Sequence, residues 1–356
     1  MHCRSKYLLL SIIFRYCLAC AETVNKEAFE KFNPESFDDT NERERAEEKL
    51  EKSRADIWRC WAKYGLNILK MSHTKKLQEC GQTDEKVEVR NDEKLDDEDL
   101  THLKFGSIDV GTLEQQVTEE LVQDYHNAKV VFQFSQKCLN KAKEFYKLDG
   151  FVTDFVEISQ DVSQFYKYLA FFENDFEIRC KMHKRRIDML NAILIELNPQ
   201  HFLIISRQLS FEIGETYAEM VDLKKAIVEE DPSKLSVNRI QKINALVLKS
   251  VQYFQGFIDS YKRDGILPEK FEDDAVRGLL LTVFLKARLY SKYLTTDRQT
   301  KIEYMSKEKE CYEYLVNYCD SNPDMPKGIM DEELDMAREM IALFNVKMNN
   351  ALDKLD

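Results

Sequence analysis

The chain has 356 residues, 44% of them hydrophobic, and 52 basic against 64 acidic side chains give it a net charge of −12. That apolar fraction supports a packed core and excludes wholesale disorder, while the acidic balance excludes general nucleic-acid binding, which needs phosphate neutralisation. With only 10 glycines and 6 prolines, tight turns are few, and long helices with short connections are expected.

At the N-terminus, Arg4 and Lys6 precede the apolar run Tyr7 to Phe14, and Ala19-Cys20-Ala21 has the small-residue character of a secretory cleavage site. Arg15 interrupts that run, which is also too short to span a bilayer. An amphipathic helix inside a larger fold is the preferred reading, with a signal peptide as its alternative. Cys17 and Cys20 form a lone CxxC without a second pair or a nearby histidine, and read as packed helix thiols. The chain's nine cysteines are an odd number without a repeating framework, which suits free thiols in a reducing compartment. Asn33 to Thr40, containing Pro34, reads as a loop, so residues 1–79 are expected to form a helical hairpin.

The pattern breaks over residues 80–106. Here Asp84, Glu85, Glu88, Asp92, Glu93, Asp96, Asp97, Glu98 and Asp99 face only Lys86, Arg90 and Lys94, a net −6 and half the charge of the chain. Like charges at this density oppose compaction, which predicts a solvated connector ahead of a larger helical body over 107–356.

Within that body, Phe155, Ile158, Val162, Phe165, Leu169 and Phe172 recur at intervals of three and four, one face of a helix. The stretch from Phe172 to Arg186 then passes from an aromatic, acidic edge into a basic cluster of Arg179, Lys181, His183, Lys184, Arg185 and Arg186. Three readings fit it. One is a solvated helix face. Another is a partner-binding stripe with Lys181, Lys184 and Arg185 on one side. The third, a nuclear-import signal, is disfavoured because such signals sit on mobile segments. Pro199, Pro232 and Pro268 follow at wide spacing and bound single helices. Helical stripes recur at Ile240, Ile243, Val247, Val251, Phe254, Ile258 and Tyr261, at Val276, Leu280, Val283, Ala287, Tyr290 and Leu294, and at Leu334, Ala337, Ile341, Phe344, Met348 and Ala351. Gly265 stands just past the Tyr261 stripe, where a left-handed residue ends a helix. No segment alternates with period two, so the fold class is all-α.

Candidate chemistry is sparse. The histidines His2, His73, His102, His126, His183 and His201 are scattered, with no HExxH pair. Acidic doublets such as Glu119-Glu120 and Asp273-Asp274 suit helix surfaces. There is no glycine-rich phosphate loop and no nucleophile elbow. Neither an enzyme nor a cofactor is expected.

Several longer motifs carry a resemblance. Lys147-Leu-Asp-Gly-Phe-Val-Thr-Asp-Phe-Val-Glu-Ile158, Leu169-Ala-Phe-Phe-Glu173 and Arg179-Cys-Lys-Met-His-Lys-Arg-Arg-Ile187 are similar to the kinesin-family-binding proteins. Leu197-Asn-Pro-Gln200, Met220-Val-Asp-Leu-Lys-Lys-Ala-Ile227, Lys242-Ile-Asn244, Ala287-Arg-Leu-Tyr290 and Tyr314-Leu-Val-Asn-Tyr-Cys319 continue it, and Arg59-Cys-Trp-Ala-Lys-Tyr64 fits the same order upstream. The resemblance implies a right-handed helical solenoid with tetratricopeptide-like repeats, its C-terminal half built of long antiparallel helices. It further implies a cytoplasmic, cytoskeleton-associated, non-catalytic protein that binds kinesin motor domains, blocks their attachment to microtubules and serves axon growth, spindle organisation and organelle transport. Neither a membrane nor nucleic acid is an implied partner. Family members carry a further block of repeats ahead of the region matching residues 1–30. On the resemblance, Met1 is expected to be a start inside the solenoid and the apolar N-terminus an interior helix. An intact member is expected to be a monomer, whereas an array without its terminal cap exposes an apolar face and is expected to self-associate.

A motor that docks on acidic tubulin presents a basic face, so the acidic run Asp84 to Asp99 is the first candidate for contact. Arg179, Lys181, Lys184 and Arg185 are the second. The rival from another class is a general helical-repeat adaptor that captures acidic peptide tails through a Lys/Arg/Asn clamp.

Overall fold

The computed structural model describes residues 2–81, 108–325, 328–344, 346 and 348. Among them it contains ten α-helices and no strand; the lone β-bridge joins Arg263 and Ile266. The chain divides into two compact units, Met1–Asn174 and Asp175–Asp356.

The first unit holds α1 (His2–Lys31), α2 (Thr40–Glu79), α3 (Tyr125–Phe145) and α4 (Val152–Phe172). Helix α1 runs unbroken through Ala19-Cys20-Ala21, with Tyr16, Leu18, Ala19 and Cys20 buried and Cys17 exposed. The loop expected around Pro34 contains a single 3-10 turn, Pro34–Ser36, capped by the Asn33 side chain. Asp39 then starts α2 by accepting from the Asn41 amide at 2.9 Å. At 40 residues, α2 is about 60 Å long. Its buried face begins at Ala55 and continues through Trp61, Ala62, Gly65, Ile68 and Leu69, and it packs against α1, α3 and α4.

At Gly65, α2 and α3 approach closely: a Cβ there would lie 2.2 Å from the Ser135 hydroxyl. Polar pairs fix the register against α4. Arg59 reaches Asp154 at 2.6 Å and Glu157 at 2.8 Å, and Lys63 reaches Asp161 at 2.6 Å. The segment before α3 is strapped onto the first hairpin. Arg15 donates to the Val117 carbonyl at 3.2 Å, Tyr64 to the Thr118 carbonyl at 3.3 Å, and the Val122 amide to the Ser72 hydroxyl at 2.9 Å. Helices on either side of residues 80–106 therefore pack within one unit.

The second unit holds α5 (Phe176–Glu196), α6 (Leu203–Glu230), α7 (Val237–Asp259), α8 (Asp273–Tyr290), α9 (Arg298–Ser321) and α10 (Asp331–Ala342). Each packs on the next in sequence, the arrangement of a helical stack. The prolines mark the joints as expected: Pro199 lies between α5 and α6, Pro232 opens a 3-10 turn between α6 and α7, and Pro268 lies between α7 and α8. Gly265 has φ +80° and Asp264 φ +50°, the left-handed pair of a tight turn closed by the Arg263–Ile266 bridge.

The apolar stripes become the core. Val156, Ile158, Val162, Phe165, Leu169 and Phe172 are buried in α4, and Ile243, Val247, Phe254 and Ile258 in α7. Three stripes overrun their helices: Tyr261 lies past the end of α7, Leu294 past α8 and Phe344 past α10. Tyr261 instead stacks under the Arg207 guanidinium at 3.5 Å, while Arg207 bonds the Ser260 carbonyl at 2.7 Å. A side-chain cation thus ends α7.

Candidate functional site

The basic cluster is positioned by α5. Asp175 caps that helix, its carboxylate accepting from the Glu177 and Ile178 amides at 2.7 and 3.1 Å. With the register fixed, the helix divides the cluster between two faces. Lys181, Lys184 and Arg185 are exposed and Arg179 is half-buried, its guanidinium 5.5 Å from the Phe176 ring. Lys184 pairs with Asp188 one turn on. His183 and Arg186, by contrast, are 5% and 1% exposed.

The buried pair meets two carboxylates from α6. Arg186 donates to Glu219 at 2.6 Å and lies 3.7 Å from Glu212, and His183 Nδ1 lies 3.2 Å from Glu219. A solvated-face reading therefore fails for His183 and Arg186, because α5 packs on α6 along this side. It describes the placement of Lys181, Lys184 and Arg185. The other charged candidates, Asp84, Glu85, Glu88, Asp92, Glu93, Asp96, Asp97, Glu98 and Asp99, lie outside the described residues.

A concavity that the sequence did not flag opens between α1 and α2. It has a volume of about 230 Å³, and Glu22, Lys26, Phe29, Arg54, Ile57 and Trp58 line it. Its sequence signal is the apolar spacing within α2, where Trp58 stands beside the family motif Arg59-Cys-Trp-Ala-Lys-Tyr64.

Among the described residues, groups suited to covalent or metal chemistry are not brought together. Burial raises the thiols of Cys60, Cys180, Cys311 and Cys319, and pushes Cys138 up to about 12, so these sulfurs stay protonated and poorly nucleophilic. Burial and the nearby Lys167 lower His73, which packs edge-on against Phe171 at 4.3 Å. Among the described residues, no group of three or more His, Cys, Asp or Glu is placed to hold a metal ion. Among the same residues, no helix is long and apolar enough to cross a membrane.

Comparison with known proteins fits this surface-and-stack character. The family described as "KIF-1 binding protein C terminal" matches residues 12–351. A chicken KIF-binding protein is 37% identical over 99% of this chain and 61% of its own length. A zebrafish KIF-binding protein is 39% identical over 94% of this chain and 55% of its own, and a human one 34% identical over 96% and 56%. The chain thus spans little more than half the length of the curated relatives it matches. The match nevertheless runs through both helical units, and on it the chain belongs to the KIF-binding protein family.

Proposed function

We propose that this chain binds kinesin motor domains and keeps them off microtubules without catalysing a reaction, and that it does so in the cytoplasm. The observation that carries this reading is the similarity to KIF-binding proteins over 99% of the chain. The fold supports it, since a sequential helical stack offers a long surface for a folded partner. Charge supports it too. A motor domain that holds acidic tubulin presents basic residues, and a protein of net charge −12 complements them. On this reading the run Asp84 to Asp99 steers the encounter, and Lys181, Lys184 and Arg185 with Arg179 form a secondary contact stripe on α5. Competition then follows from occupancy alone: a motor face covered by this protein cannot also dock on a filament.

Microtubule co-pelleting tests the proposal. A motor domain at fixed concentration should move from pellet to supernatant as this protein is added, with no nucleotide turnover by the protein itself. A motor that stays fully in the pellet at saturating protein would overturn it.

A further inference from the structure

The concavity between α1 and α2 has the makings of a second binding site, distinct in chemistry from an acidic surface that attracts a basic motor. Its floor is apolar, formed by Phe29 of α1 with Ile57 and Trp58 of α2. Its charged lining sets Lys26 and Arg54 against Glu22, a cationic balance. The Arg54 guanidinium lies 4.4 Å from the Phe29 ring and 5.5 Å from Trp58, and the Lys141 ammonium reaches across from α3 to within 4.6 Å of Trp58.

Several nearby carboxylates have partners. Glu22 accepts from the Trp61 indole at 2.9 Å and Glu27 pairs with Lys31 at 3.0 Å, while Glu51 meets Arg54 only at 3.8 Å. Lys26 and Lys141 are both exposed. Aromatic faces hold such cations loosely enough that they remain available to an anion.

At about 230 Å³ the space is smaller than the roughly 300–1,000 Å³ of small-ligand pockets, and suits one side chain of a larger partner. We propose that this site docks an acidic peptide segment of a partner protein. One leucine- or phenylalanine-sized side chain seats on Phe29, Ile57 and Trp58, and the flanking carboxylates face Lys26, Arg54 and Lys141. The charge complementarity selects an acidic peptide, and the apolar floor separates it from an anion bound by charge alone. None of these residues belongs to the acidic run or the α5 stripe proposed for motor capture, so the two bindings are separable.

The chain's two tryptophans, Trp58 and the buried Trp61, give a direct readout. The full chain is titrated with an acetylated, amidated Glu-Glu-Asp-Leu-Glu-Glu peptide while indole emission is followed. Saturable change is expected. Lys26→Glu and Arg54→Ala should each weaken binding by roughly tenfold, whereas Lys249→Glu, an exposed charge of the second unit, should not. Four results would overturn the proposal: no saturable change; unaltered affinity in Lys26→Glu; equal affinity for the peptide with serine in place of leucine; or equal affinity for a single-stranded oligonucleotide of matched charge. Motor co-pelleting with Lys26→Glu should match the parent chain, which keeps the two sites separable.

Discussion

A guanidinium that is 1% exposed, as Arg186 is, carries a desolvation cost of several kcal/mol unless carboxylates meet it. Glu219 at 2.6 Å and Glu212 at 3.7 Å supply that pairing from the next helix. The neighbouring Lys184, one turn from Asp188, forms an exposed i,i+4 pair of the kind worth only a few tenths of a kcal/mol. Residues adjacent in a basic run therefore differ by an order of magnitude in what they contribute. Arg186→Met should lower the free energy of unfolding by roughly 3 kcal/mol, because two carboxylates are left facing an apolar side chain. Lys184→Ala should change it by less than about 0.5 kcal/mol. Urea melts followed by circular dichroism would read both, and equal losses would contradict the division of the cluster between two faces.

At the scale of the element, the close helix crossings are set by small residues. A Cβ at Gly214 of α6 would meet the Phe254 ring of α7 at 2.7 Å, and the Gly214 carbonyl accepts from the Ser250 hydroxyl at 2.7 Å. Phe254 is fully buried and cannot swing aside. Gly214→Ala gains up to about 1 kcal/mol of helix propensity, but the overpacking costs roughly 1–3 kcal/mol. A net loss in thermal stability is expected, and a rise in the melting temperature would show that the α6–α7 crossing can relax. These contacts also show what could be read in advance. The period of the apolar stripes gave the helices, since each must bury one face, and the prolines at 199, 232 and 268 gave the joints, since none can sit inside a helix. What stayed hidden depended on which helix packs beside which. Arg186 reads as surface charge until α6 brings Glu212 and Glu219 to it. Trp58 carries no signal of its own until α1 leaves a gap beside it. The ends of the stripes were misjudged for a related reason. Tyr261 keeps helical spacing, yet Arg207 from α6 claims it after α7 has stopped.

For the molecule as a whole, the excess of 12 negative charges is a long-range property that no single contact expresses. Within a Debye length of about 8 Å at physiological salt, it raises the local concentration of a basic partner and turns that partner's positive face inward. Half of the excess sits in the Asp84 to Asp99 run, so the field is concentrated at one stretch of the chain. Steering of this kind acts on encounter more than on residence. If it operates, the association rate with a kinesin motor domain should fall roughly tenfold or more between low and moderately high salt, while the dissociation rate changes little. Replacing the nine acids of the run by their amides should flatten that salt dependence. Stopped-flow association at several ionic strengths measures both effects. A salt-independent rate in the parent chain would place motor recognition on short-range contacts instead, and would shift attention from the acidic run to the exposed face of α5.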